Sequence, residues 1–508
     1  MREQQPDDTT LRLPFSGVGW IARTELAAVA GFDALLARFQ RHAYPILALS
    51  AGSLLLTDVH HTADPVLVSL GLLVVGLAVS WLLSGAHPLA VRCFLLTFST
   101  GVLVAGGCQS YATLVHGQAM SAGDANLFYG YMQEFPPYAS YAELAALLNA
   151  PLAVVIWQWV YRIASSLGMQ HGPWLGVLLN CLVVGLSGTV TILIGREALG
   201  EDRRALRKIG TLYALCGLFM LFAGLFLRDC FALLANALVF WIMIRTLNRP
   251  TVPHVLFALV AMFLLRGFML GIRTSAIPLF VLFMGLTVAC WFFRKRLDLP
   301  RVLVLGLLAG GIVFIYDLAV RYANLAVAGV AFRSEMYSSM ATLSARQGSL
   351  GQALIVNQPL PIRLLIAPFS MMMYPIPIWA YIQPQAEEYH LLKTWHSIYS
   401  LLVVPLAACG AAMTVRHWLR NRWDAMPAVL ILLFALIPLL AIAATSLETR
   451  HYAQFLPAMI ILAAIPDRRD AGVRDQTNRA MVTWISLVAC LQVAWAVLRY
   501  LVMPSLRA

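Results

Sequence analysis

Gly123-Asp124-Ala125-Asn126-Leu127-Phe128-Tyr129, followed shortly by Glu134-Phe135-Pro136-Pro137-Tyr138, decides how this chain is read. Both phrases lie between Cys108 and Glu143, a stretch with three acids (Asp124, Glu134, Glu143), one histidine (His116) and no Lys or Arg. It follows a strongly apolar segment in a chain that is otherwise basic. An acidic, aromatic-rich loop at the mouth of a membrane helix puts carboxylates at the depth of anionic or sugar-bearing lipid headgroups.

The surrounding composition supports a membrane setting. Of 508 residues, 60% are hydrophobic and 12% charged, and the mean hydropathy is +0.76. These values exclude a soluble globular protein and predict an all-α polytopic membrane protein, with membrane lipids as its surroundings. The net charge of +12 does not imply a nucleic-acid partner. The basic residues fall in short clusters between apolar runs, as orientation signals do. The first forty residues are polar and mixed in charge, so no cleavable signal peptide is expected. Arg dominates over the three lysines, a bias of GC-rich bacterial genomes, so the expected location is the bacterial inner membrane. The eight cysteines show no CxxC spacing and read as small buried hydrophobes. No zinc motif, P-loop or GxGxxG after a strand is present.

Residues 1–43 read as a cytoplasmic tail, with Arg23, Arg38 and Arg41 near the first span. Two added N-terminal helices are expected within 44–83 (44–57 and 65–83), then a span at 88–107 and an outer loop at 108–173. Residues 144–168 are apolar enough to cross. If they did, Arg196, Arg203, Arg204, Arg207 and Lys208 would face outward after the span at 174–195, against the positive-inside bias. An interfacial, Trp-rich helix on the outer face resolves the conflict. Spans at 210–227, 230–246, 254–271, 275–293 and 301–320 follow. A second outer loop is expected at 321–394, with a Pro-broken re-entrant or interfacial piece at 361–382. Spans at 395–414, 427–445, 452–466 and 481–503, in the C-terminal region 395–508, bring the expected total to about 13.

This layout resembles the GT-C superfamily of membrane glycosyltransferases, among them the dolichyl-phosphate-mannose-protein mannosyltransferases, which use polyprenyl-phosphate-linked sugars. The resemblance covers roughly 88–466 and rests on helix order and two acids. It implies a seven-helix module within 84–320, with two large periplasmic loops, 108–173 and 321–394. It places the family's signature carboxylate on Asp124 and a second acid on Asp229. The helices at 44–83 are additions to the family pattern. Phe226-Leu227-Arg228-Asp229 and Glu448-Thr449-Arg450-His451-Tyr452 are also similar to phrases in bacterial exopolysaccharide or O-antigen assembly proteins, some of which are polymerases.

The resemblance implies a polyprenyl-phosphate-linked sugar donor and a cell-envelope glycan or lipid acceptor. Transfer to a hydroxyl needs a base at the acceptor oxygen. Asp124 is the first candidate for that role, and Glu134 a second acid that contacts substrate. Asp229 would support Asp124 or share a divalent cation, Mg or Mn, with it; each acid can equally be a solvated or anchoring residue. Arg228, Arg266 and Arg273 stand at outer helix ends or in apolar runs, where a guanidinium needs a cavity or partner and can hold a phosphate bidentately. Arg450 and His451 are candidates for phosphate or sugar contact, and Arg333, with Arg321, Glu335 and Arg346, for an anionic substrate. Glu387-Glu388-Tyr389-His390 reads as a solvated face, and Trp157, Trp159 and Trp174 as membrane-belt residues. Two other readings stay open: a polysaccharide polymerase leaning on arginines, and a lipid-linked oligosaccharide flippase or transporter. The conspicuous charges sit at helix ends and no second-half echo is seen, which disfavours the flippase or transporter.

Overall fold

The computed structural model describes residues 44–134, 143–144, 148, 151–249, 251–273, 335, 339, 355, 358–373, 378, 382, 385–420, 425–444, 449–467 and 470–497. Pro45–Ala508 form one compact unit. The secondary structure among the described residues is helical, without strands. In chain order the helices are α1 (Tyr44–His60), α2 (Asp64–Ser84), α3 (Pro88–His116), α4 (Gly123–Glu134), α5 (Pro151–Ser166), α6 (Pro173–Leu199), α7 (Arg203–Ala214), α8 (Gly217–Gly224), α9 (Asp229–Asn248), α10 (Val252–Ile272), α11 (Leu360–Met373), α12 (Glu388–Arg420), α13 (Met426–Ala443), α14 (Thr449–Ala453), α15 (Leu456–Ala464) and α16 (Ala471–Val497).

Among the described residues, seven helices are long and apolar enough to cross a membrane: α2, α3, α6, α9, α12, α13 and α16. The bent pair α7–α8, which breaks by 51°, makes an eighth if counted as one span. The chain is therefore an all-α multi-pass membrane protein. The expected spans at 275–293 and 301–320 lie outside the described residues. The expected span at 452–466 is divided at Gln454–Phe455 into α14 and α15. The helix expected at 88–107 continues to His116 and stops at Gly117, whose φ of 70° suits a residue without Cβ. α5, within the segment expected to lie on the membrane surface, has 16 residues. At 1.5 Å per residue it is about 24 Å long, short of the roughly 30 Å hydrocarbon core.

α6 is the centre of the bundle. It is apolar all round, the pattern of a helix with neighbours on every side, and 89% of its most apolar stretch is buried, against 17% for α2. α3 and α9 pack along it, with α2, α7 and α8 completing the ring. Phe94, Phe98, Val184, Phe219 and Phe222 fill the space between them. Close approach depends on small residues, since helices in lipid associate through packing. A Cβ on Gly52 of α1 would overlap the Val102 carbonyl of α3, and one on Gly410 of α12 would overlap the Leu462 carbonyl of α15.

The two ends of the bundle differ. One gathers the C-terminal end of α3, α4, the N-terminal ends of α9 and α12, and α14. The other holds the α6–α7 turn, where Glu201 pairs with His87 at 3.2 Å and Arg196 at 3.4 Å, and Asn248 donates to the Glu197 carbonyl at 2.7 Å.

Candidate functional site

The first end holds a cluster of opposite charges drawn from four segments far apart in sequence. Asp124 lies in the first turn of α4 and Asp229 in the first turn of α9. Both carboxylates thus sit at positive helix ends. Arg273 caps the C-terminus of α10, the negative end, and its guanidinium donates to Asp229. Arg450, on α14, donates to Asp124. The side chains of Arg273 and Asp229 are 12% and 6% exposed; those of Arg450 and Asp124 are 22% and 47% exposed. One pair is sealed and the other opens to solvent through its carboxylate.

Arg228 lies between the pairs. Burial lowers its guanidinium from the ordinary arginine value; Asp229 opposes that shift, Arg273 and Arg450 add to it, and Asp124 opposes it again. The other four charges are therefore all within electrostatic reach of Arg228. The Arg228 guanidinium also stands 5.1 Å over the Phe128 ring of α4, a cation–π contact.

Local architecture explains these positions. The chain leaves α8 at Leu225 in an extended conformation, exposing carbonyls that lipid cannot satisfy. Asn180, buried in α6, donates to the carbonyls of Leu225 at 2.9 Å and Leu227 at 3.1 Å. Its own amide oxygen accepts from the Trp157 indole at 3.3 Å. This bridge fixes the backbone just ahead of Arg228 and Asp229. Trp157, expected in the membrane belt, is fully buried against Phe226 and Phe231, at centroid distances of 4.2 and 5.7 Å. Trp174 is buried as well, and Trp159 is exposed. Phe128 and Tyr129 then seat α4 on Trp157 and Phe226. On the Arg450 side, Gln454 accepts from Asn236 of α9 at 2.8 Å, the Tyr452 hydroxyl donates to Ala435 at 3.2 Å, and Arg363 of α11 donates to the Ala444 carbonyl.

The structure thus brings together Asp124, Arg228, Asp229, Arg273 and Arg450. Glu134 does not join them: it ends α4, exposed, ten residues and about 15 Å along the axis from Asp124. Arg266 is half-buried on α10 seven residues before Arg273, about 10 Å further down the helix on the same side. His451 is half-buried beside Arg450. Arg333, Arg321, Arg346 and Glu448 lie outside the described residues, and Glu335 is exposed.

The stretch expected to be a solvated face is not one. Glu388 is 2% exposed and Lys393 5% exposed. Lys393 Nζ lies 4.4 Å from the centre of the Tyr389 ring, which also takes the Arg450 guanidinium at 6.0 Å. Glu388 is ringed by polar contacts from the α3–α4 connection. One sequence signal did point here: Lys393 is among only three lysines, placed inside an apolar helix.

A divalent cation would need the oxygens of Asp124 and Asp229. Each carboxylate faces a guanidinium instead, and no group of three or more His, Cys, Asp or Glu suited to a metal occurs among the described residues. Two carboxylates each engaged by a guanidinium are a donor set that does not fit Mg or Mn in this arrangement.

Helices crossing a membrane around a sealed-and-open pair of ion pairs define the class: a multi-pass membrane protein with a charged site at one end of its bundle. No family model matches the chain, and no curated protein matches it either.

Proposed function

We propose that this chain is a membrane glycosyltransferase of the GT-C type. It moves a sugar from a polyprenyl-phosphate-linked donor to a cell-envelope glycan or lipid acceptor at the periplasmic face of the bacterial inner membrane. The thirteen spans, the seven-helix module and the two periplasmic loops belong to the same proposal. The supporting observation is that Asp124, a carboxylate open to solvent, sits among Arg228, Arg273 and Arg450 at one end of the bundle.

The chemistry follows from this pairing. The donor phosphate takes the guanidinium of Arg450, with Arg228 adding charge, and Asp124 loses its partner. The freed carboxylate accepts the proton of the acceptor hydroxyl as that oxygen bonds to the anomeric carbon. The bond from that carbon to the phosphate oxygen breaks on the opposite side, with inversion, and the phosphate leaves with the electron pair, held by the arginines. Asp229 keeps Arg273 oriented and takes no proton.

Asp124→Asn and Asp124→Ala are the test, in proteoliposomes supplied with a synthetic polyprenyl-phosphate sugar. A general base contributes roughly 10²–10⁴-fold, so transfer falls by about that factor while the protein still inserts and folds. Full activity in either variant ends the assignment. The gathering of Arg228, Arg273 and Arg450 also supports a second reading, a polysaccharide polymerase. A ladder of lipid-linked products, in place of a single added sugar, would select it.

A further inference from the structure

We propose that Glu388 is a positioning residue that holds the first turn of α4, and so the Asp124 carboxylate, in register with Arg450. The consequence for catalysis rests on the glycosyltransferase reading; the positional claim stands without it.

Glu388 opens α12 with its carboxylate buried. One oxygen accepts from the backbone N–H of Ser121 at 2.8 Å and of Ala122 at 3.1 Å; the other accepts from the Ser121 hydroxyl. Two residues upstream, the Ala386 carbonyl accepts from the Tyr111 hydroxyl at 2.9 Å and has His116 Nε2 at 3.4 Å. The segment before α12 is thereby laid along the end of α3 and onto the turn that starts α4.

That turn is the one that matters for Asp124. The Ala122 carbonyl accepts the Asn126 N–H at 3.0 Å, so the hydrogen bonding of α4 begins at a residue Glu388 holds. Asp124 follows two positions later. Directly after Glu388, Tyr389 offers its ring to Arg450. Adjacent residues of one helix turn therefore each hold one member of the Asp124–Arg450 pair. A buried carboxylate is costly unless its oxygens find donors, and here the donors come from the segment leading into the site.

The test separates position from chemistry. In a Cys490→Ser background, Asp124→Cys and Arg450→Cys are combined, which removes the ion pair and leaves α4 to its other restraints. A short bifunctional thiol reagent then joins positions 124 and 450, and the adduct is mapped by mass spectrometry. Adding Glu388→Ala should lower the crosslinking yield about tenfold, whereas Glu388→Gln, which keeps a carbonyl oxygen for the backbone donors, restores most of it. Ser121→Ala gives an intermediate loss that does not add to that of Glu388→Ala, because the hydroxyl contact it removes is one of the three that Glu388→Ala already removes. Unchanged crosslinking in Glu388→Ala overturns the proposal. In the otherwise unaltered chain, Glu388→Ala lowers kcat for transfer about 100-fold, the cost of an ångström-scale misplacement. The KM for a polyprenyl-phosphate sugar stays within about twofold, and Glu388→Gln recovers kcat. If crosslinking falls while even the unaltered chain transfers no sugar, the glycosyltransferase reading fails and the positional claim survives. If crosslinking falls but kcat is unchanged, Glu388 does not act on the reaction through Asp124.

Discussion

Arg273 is 12% exposed and bonded to an aspartate that is 6% exposed, whereas Arg203, Arg204 and Arg207, at the opposite end of the bundle, face outward from the start of α7. Arg416 and Arg420 at the end of α12 are exposed in the same way. The same side chain is thus used under two costs. At the α7 end a guanidinium keeps its hydration and orients the chain in its membrane. At the α4 end it has given up water, and its charge must be balanced by protein groups or by a ligand. Arg228, Arg273, Arg450 and Lys393 stand there beside Asp124, Asp229, Glu387 and Glu388. Paired and half-buried charges gathered from segments far apart in sequence separate that end from a patch of exposed arginines that orients a helix.

The bluntest way to break this contrast is sidedness. Single cysteines at Gly130, near Asp124, and at Asp202, beside Arg203, in a Cys490→Ser background should react with a membrane-impermeant maleimide from opposite faces. Gly130 labels in intact spheroplasts, and Asp202 only in inverted vesicles. Labelling of both positions from one side would put the two clusters on the same face and leave the contrast without meaning.

A smaller effect sharpens it. Asp229→Asn leaves Arg273 buried without its anion, which in comparable buried pairs costs about 3–5 kcal/mol. Arg207→Gln, in the exposed cluster, changes stability by about 0.5 kcal/mol or less. Thermal unfolding in one detergent reads both. Equal shifts would mean that the Asp229–Arg273 pair is no more desolvated than a surface charge.

The five charges of the site stand out in the sequence because four lie at the outer ends of apolar runs and Asp124 lies in the acidic loop that follows one. Their pairing does not. Asp124 and Arg450 are 326 positions apart and Asp229 and Arg273 are 44 apart, and no local periodicity links such separations. Glu388 was misread for a related reason: flanked by Glu387 and His390, it looks like part of a solvated run, and only the docked α3–α4 turn buries it. Glu134 shows the converse, since composition alone could not tell the two ends of α4 apart. Trp157 reads as a belt residue because tryptophans in a segment at the membrane surface usually are. The buried Asn180 of α6 gives its indole a partner and draws it inward. Hydropathy marks the seven long apolar helices among the described residues because lipid demands long apolar stretches. The break in α7–α8 is invisible to it, as apolar residues continue through Leu215 and Cys216.

The smallest effect tests whether the α4 end responds to protons. Glu387 precedes the buried Glu388, and its carboxyl is raised above the ordinary value of 4.5, chiefly by burial and then by the Glu388 charge, with His116 opposing. His390 Nε2 also lies 3.8 Å from it. A raised carboxyl binds its proton more readily in the folded chain than in the unfolded one, so stability falls as pH rises through the interval above 4.5. The docked 386–388 segment should therefore hold the α3–α4 turn most firmly under mildly acidic conditions. Amide exchange at Ser121 and Ala122, corrected for intrinsic rates, should lose protection as pH is raised from that value, and Glu387→Gln should flatten the response. Glu387 is partly open to water, which screens the charge, so the change is small beside those above. Exchange across the exposed start of α7, where Asp202 caps Arg204 at 2.9 Å, should be the same in the Glu387→Gln chain and the unaltered one. A slope that persists in Glu387→Gln would transfer the response to His116 or His390, which face the same carboxylate, and would leave Glu387 a bystander.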